Sequence, residues 1–219
     1  HGTKVDTSAV FGSYGNWLLD PTDLVIKLGA PADSNSDDDN SNTSWIDSGA
    51  NAFADAVSEI YESELESQDT DFILRAQKNV TVSGDSPDGT LQLMNNRSLT
   101  IETENASKSG KIDLANLLIR TTGTGSITLR AAYGGSKTGD IKVGSLQTDS
   151  GDIVMNTVNG KVTIGKSLLT DGGNVDVTAG DSISVNNASI MTNGGYVTML
   201  ASQGITLNSS ESEPVIIMT

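Results

Sequence analysis

A 22-residue period in the C-terminal third constrains this chain more than any other feature. Residues 145–166 (SLQTDSGDIVMNTVNGKVTIGK), 167–188 (SLLTDGGNVDVTAGDSISVNNA) and 189–210 (SIMTNGGYVTMLASQGITLNSS) align end to end. Ser145, Ser167 and Ser189 coincide, as do Thr148, Thr170 and Thr192, and Gly151, Gly173 and Gly195. Within each unit, apolar residues alternate with polar ones in short runs separated by Gly, Asn and Asp, which is the pattern of half-buried strands joined by turns. A unit this short cannot bury a core alone, so it must stack on copies of itself. Three strands per 22 residues describe one rung of such a stack. The second half of the unit is less regular. Val162 and Ile164 sit one residue late relative to Ile183 and Val185, so a connecting turn must absorb the slip.

The same grammar continues upstream with poorer spacing, through Ile141 and Val143, Ile127 and Leu129, Ile112 and Leu114, Leu99 and Ile101, Leu91 and Leu93, and Val80 and Val82. This predicts roughly six rungs from about residue 70 onward, in an all-β chain folded as a parallel β-helix, a β-solenoid of ~22 residues per rung. The predicted core is Ile153, Met155, Val175, Val177, Val197, Met199, Ile183, Val185, Ile205 and Leu207. Gly151, Gly173 and Gly195 are assigned to its corner.

Residues 1–70 differ in kind. Residues 1–30 hold an apolar strand region with the segment WLLDP at 17–21. Residues 31–70 combine an acidic, low-complexity loop (31–44) with a stretch in which Phe53, Ala56, Val57, Ile60, Tyr61 and Leu65 recur at spacings of three and four. That spacing predicts a short amphipathic α-helical insertion starting near Ser48 or Asn51 and capping or flanking the stack. Residues 71–219 form the rungs.

The WLLDP segment, the polar loop and the loose G-x-I-x-L repeats occur in an order that resembles two-partner-secretion exoproteins similar to filamentous haemagglutinin. The resemblance runs from residue 5 to about 208. It implies a right-handed parallel β-helix, a secreted or cell-surface location and an adhesive or structural role without catalytic residues. No N-terminal secretion domain or signal peptide is recognisable, so the resemblance is to a segment of such an exoprotein.

Composition narrows the alternatives. Lys and Arg number 13 against 28 Asp and Glu, a formal charge of −15, which disfavours nucleic acid and anionic membrane surfaces as partners. No run reaches the roughly 20 apolar residues of a membrane span, so membrane insertion is not expected. There is no Cys, and the one His is residue 1, so thiolate chemistry and internal His-based triads are excluded.

Several candidate sites follow. Asp149 and Asp171 occupy equivalent turn positions one rung apart, about 5 Å in a stack, where a Ca²⁺ ion would relieve their repulsion; solvated turn residues are the alternative. Asp33, Asp37 and Asp39 form a second candidate cation loop. It fails the helix–loop–helix pattern, since Asp38 stands where Gly is required and Ser44 where Glu is required. A polysaccharide-active enzyme would need two converging acids, and with Arg75, Arg97, Arg120 and Arg130 the only arginines, no Arg or Lys is expected to recur beside an acid pair in the rungs. The Thr148, Thr170 and Thr192 ladder reads as hydrogen-bonded hydroxyls rather than an ice-binding face. Six N-x-S/T sequons stand at Asn42, Asn79, Asn96, Asn105, Asn187 and Asn208.

Pro214, Val215, Ile216, Ile217 and Met218 form a terminal apolar strand that either completes the last rung or is offered to a neighbouring molecule. Two partner classes are therefore expected. One is a surface glycan or protein contacted by loops such as 31–44 and 131–138. The other is a second copy stacked end to end into a filament. The structural and adhesive reading stands first, the filament subunit second and the enzyme third.

Overall fold

The computed structural model describes residues 16–19, 21–29, 57–84, 89–104, 110–135, 138–210, 212 and 214–219. In chain order these hold β1 (Asn16–Leu19), β2 (Asp23–Lys27), β3 (Val57–Tyr61), α1 (Glu62–Glu66), β4 (Asp71–Ala76), β5 (Asn79–Ser83), β6 (Thr90–Gln92), β7 (Leu99–Glu104), β8 (Lys111–Arg120), β9 (Ile127–Tyr133), β10 (Ile141–Gln147), β11 (Ile153–Thr157), β12 (Val162–Ile164), β13 (Ser167–Leu169), β14 (Val175–Ala179), β15 (Ser182–Asn186), β16 (Ser189–Met191), β17 (Val197–Ala201), β18 (Gly204–Asn208) and β19 (Ile216–Met218). The described chain is nearly all β, and its sheets are parallel.

One sheet runs β1-β4-β7-β9-β11-β14-β17. The other runs β18-β15-β12-β10-β8-β5-β2-β3, with β19-β16-β13 joined to it through β10 and β6 through β8. From β4 onward each pass of the chain adds one strand to the first sheet and one or two to the second, an arrangement compatible with a parallel β-helix. The expected 22-residue register holds in the last rungs, where Ile153, Val175 and Val197 pair in series and Leu168 pairs with Ile190. Upstream, equivalent residues are 26 to 28 apart.

Strand alternation sends one apolar set inward. Ile153, Met155, Val175, Val177, Ile183 and Val185 are buried, as predicted, and Val197 and Met199 pack partly buried against them. Ile205 and Leu207 depart from the prediction. They align with Ile183 and Val185 but are 45% and 52% exposed, because β18 is the outermost strand of its sheet among the described residues.

A polar seam pins the register of the first sheet. The side-chain oxygens of Asp71, Ser98, Ser126, Asp152 and Asn174 accept the backbone N–H of Ser98, Ser126, Asp152, Asn174 and Tyr196 in turn, at 2.8–3.1 Å. Each rung thus satisfies a backbone donor of the next. The predicted slip is absorbed in the turn at 158–161. Gly180 stacks directly against the Val158 carbonyl, where a Cβ would collide.

The predicted helix is corrected. Residues 57–61 are strand β3, paired parallel to β2 with Ile60 opposite Ile26, and only Glu62–Glu66 are helical. The remainder of the predicted helix, 48–56, lies outside the described residues. Ile60 and Leu65 are both fully buried, so a strand followed by one helical turn satisfies the same apolar spacing. The open edge of β2 decides in favour of the strand, since sheet context overrides local preference. β3 sits beyond β2 although it follows it in sequence, and so closes the N-terminal edge of this sheet. The acids of α1 terminate backbone donors nearby: Glu62 accepts from Gly29 N–H at 2.8 Å, Glu64 from Tyr61 N–H at 3.0 Å and Glu66 from Gln92 N–H at 2.8 Å.

Candidate functional site

The strongest candidate lies on the outer face of the first sheet, where the ladder of β7 and β9 is interrupted. Glu102 pairs with Arg130, but Glu104 pairs with Tyr133, so β9 carries one extra residue. Ala132 takes φ +55 there, an uncommon conformation for a residue with a side chain. Its N–H donates to the buried Thr103 hydroxyl at 3.0 Å. The bulge turns Tyr133 outward, leaving it 54% exposed. Bulges commonly re-aim a side chain in this way.

Beneath Tyr133 runs a charged ladder across three rungs. Glu102 is buried to 3% exposure. Its carboxylate accepts from Arg75 at 2.9 Å and from Arg130 at 3.0 Å. Arg75 also lies 3.9 Å from Glu104. The Arg130 guanidinium stands 5.5 Å from the centre of the Tyr133 ring, within reach of a cation–π attraction. The result is an exposed aromatic ring beside the Arg130 guanidinium, which Glu102 holds from below. The sequence reading missed this cluster. It corrects the expectation that no Arg or Lys stands beside an acid pair in the rungs: the members are 27 and 28 residues apart, a spacing that the 22-residue period does not disclose.

Asp149 and Asp171 do lie one rung apart, the Asp171 N–H donating to the Asp149 carbonyl at 2.7 Å. They line a shallow groove of about 290 Å³ with Arg120, Gln147, Met191 and Asn193. Each carboxylate has a donor of its own. Asp149 accepts from Gly123 N–H at 2.9 Å, and Asp171 from the Asn193 side-chain amide at 3.4 Å. Among the described residues, no group of three or more His, Cys, Asp or Glu side chains is gathered to hold a metal ion. Asp33, Asp37 and Asp39 lie outside the described residues. Ile216, Ile217 and Met218 form β19, which pairs with β16 of the same chain, while Val215 packs against the core and Pro214 precedes it exposed.

The predicted hydroxyl ladder turns inward. Thr148, Thr170 and Thr192 are buried, and each donates at 2.5 Å to the carbonyl of Gly151, Gly173 or Gly195. These threonines close the corner, with their hydroxyls turned to backbone carbonyls.

A second groove, of about 240 Å³, is lined by Thr81, Val82, Asp113, Ala115 and Asn116. Here β8 bulges, with Ala115, Asn116 and Leu117 opposite Gly144 alone. Burial pushes the Asp113 carboxyl up, but hydrogen bonds from Lys111 and the Ala115 N–H, with the charges of Lys111 and Lys142, outweigh it and hold the group below its ordinary 3.8. A depressed folded-state pKa stabilises above the unfolded value and is lost as pH falls through the lowered one. Asp113→Asn is therefore expected to lower the melting temperature at neutral pH by about 1–3 °C, a figure reduced for solvent screening. The difference should shrink as the pH is taken below 3.8. A deficit that persists undiminished in acid would assign Asp113 a packing role instead.

Among the described residues no helix is long and apolar enough to cross a membrane. No protein-family model, curated protein or solved structure matches the chain.

Proposed function

We propose that this chain is an extracellular structural and adhesive segment, a right-handed parallel β-helix of the haemagglutinin-like kind that displays contact residues on a stiff support. Two features support the reading. The rungs stack in continuous parallel ladders pinned by a polar seam, which makes a rigid spacer. The bulge at Ala132 holds an uncommon backbone conformation and thereby turns Tyr133 out beside Arg130. The bulge is the observation that carries the proposal, because strain held in place by its surroundings clusters where a side chain must be presented. The partner is a surface glycan or protein. Tyr133 would stack against a sugar ring or an apolar side chain, and the Arg130 guanidinium, held by Glu102 with its side chain 42% exposed, would supply oriented hydrogen bonds.

A binding screen of the purified chain against immobilised glycans and cell-surface proteins tests this. Tyr133→Ala is expected to weaken the selected interaction roughly tenfold or more, while Leu18→Ala, exposed elsewhere on the same sheet, leaves it unchanged. Binding that survives Tyr133→Ala would remove the bulge from the contact. Cleavage of a polysaccharide by the wild-type chain would replace the display reading with an enzymatic one.

A further inference from the structure

We propose that the groove running from Arg120 to Asn193 docks an arginine side chain presented by an extended partner peptide. This inference is independent of what Tyr133 binds. The two walls of the groove differ in kind. One is a column of outward side chains in strict register, Arg120, Gln147, Leu169 and Met191, carried by β8, β10, β13 and β16, each paired on both sides. The other stands two residues further along each rung and holds Asp149, Asp171 and Asn193. Between them run Thr148 and Thr170, buried with their hydroxyls turned to the Gly151 and Gly173 carbonyls. Half-buried Leu169 and Met191 therefore face an acidic wall.

Charge complementarity selects the occupant. Asp149 and Asp171 stand one rung apart, about 5 Å, and like charges so placed destabilise each other until a cation comes between them. Each carboxylate is already aimed by one donor, Asp149 Oδ2 by the Gly123 N–H and Asp171 Oδ1 by the Asn193 amide. An ionised carboxylate accepts on both oxygens, so Asp149 Oδ1 and Asp171 Oδ2 are where the donors of a ligand would go. A guanidinium presents its N–H groups in a planar fork and serves two carboxylates at once, which the compact lysine ammonium does less well. The methylene stem of the arginine would lie along Leu169 and Met191.

Arg120 decides what accompanies the arginine. It is exposed, makes no ion pair among the described residues and lies two rungs from Asp171, roughly 10 Å. A second cation at that end of the groove is repelled. A carboxylate two residues from the arginine is attracted, since two residues of extended chain and their side chains cover that distance. The groove thus discriminates by repulsion as well as by attraction. It takes an arginine flanked by acids and rejects a run of basic residues.

The test is an NMR titration of the purified chain, followed at the Met191 methyl and the Gly123 amide, with three capped pentapeptides: Glu-Ala-Arg-Ala-Glu, Glu-Ala-Lys-Ala-Glu and Lys-Ala-Arg-Ala-Lys. Salt is held at about 0.15 M, where charges more than about 8 Å away are largely screened. The first peptide is expected to bind with a Kd on the order of 1 mM, and each of the others about fivefold more weakly. Asp171→Asn should weaken the first roughly fivefold or more. Asp176→Asn, on the outer face of β14, should leave it unchanged. In Arg120→Gln the preference for acidic over basic flanks should disappear. The peptide series needs no variant, so a substitution that failed to fold would leave the test intact. No perturbation at either probe up to about 20 mM peptide, or binding indifferent to Asp171→Asn in a folded variant, would overturn the proposal. Tightest binding by the third peptide would do the same, because unselective attraction to a chain of charge −15 gives that order.

Discussion

Gly173→Ala is expected to lower the melting temperature by about 10 °C. The glycines of this corner are required by contact between rungs. Gly125, Gly151, Gly173 and Gly195 stack one above another, and a Cβ on Gly173 would be driven into the carbonyl of Gly151. That carbonyl is not free to move, because it accepts the Thr148 hydroxyl at 2.5 Å. The clash is with backbone on a buried ladder, so relief means separating two rungs. Overpacking of this kind costs about 3 kcal/mol or more, and for a chain of this size each kcal/mol is worth about 2–4 °C. Gly172 provides the internal control. It has φ +106 and open space where a methyl group would stand, so Gly172→Ala meets conformational strain alone, about 1 kcal/mol. Thermal unfolding followed by circular dichroism would compare the two. Equal shifts would mean that backbone conformation, and not stacking, governs the corner.

This corner also shows how far the sequence could be read. The aligned Thr and Gly positions disclosed the 22-residue register, and the register located the corner and six of the buried core residues. The reason for the glycines was not legible, because it lies in the carbonyl of the preceding rung. Upstream, the spacing between rungs is longer, and the bulge at residues 115–117 adds to the one between Glu102 and Arg130, with no residue type to announce it. Arg75, Glu102 and Arg130 therefore became neighbours unforeseen. The stretch ending at Leu65 read as helix because spacings of three and four also fit a strand joined to one helical turn. The pairing partner that decided the matter, β2, lies more than 30 residues away in sequence. Ile205 and Leu207 illustrate the converse limit. Alternation identifies the face on which a residue lies, but burial requires a neighbour beyond it, and β18 has none in its sheet among the described residues.

Val177→Asp tests the interior of the same stack and should have the largest effect of any single change considered. Val177 is fully buried and pairs with Met155 on one side and Met199 on the other. The substitution removes an apolar side chain worth about 1.5–3 kcal/mol and places a carboxyl where no donor awaits it, a further cost of several kcal/mol whether it remains charged or takes up a proton. Val177→Ala, which leaves only a small cavity, should cost about 1–3 kcal/mol. Leu207→Asp on β18, where the side chain is 52% exposed, should leave the chain's stability within about 1 kcal/mol, although Leu207 occupies the same alternating pattern. Because stability in a stacked fold is a sum over rungs and their interfaces, the lesion at Val177 should uncouple the C-terminal rungs. Hydrogen exchange would then show β14 to β19 unprotected while β4 to β9 retain their protection. If protection were instead lost evenly from β4 to β19, the stack would be a single cooperative unit, and the seam from Asp71 to Tyr196 would have to be reckoned strong enough to bind all its rungs into one transition.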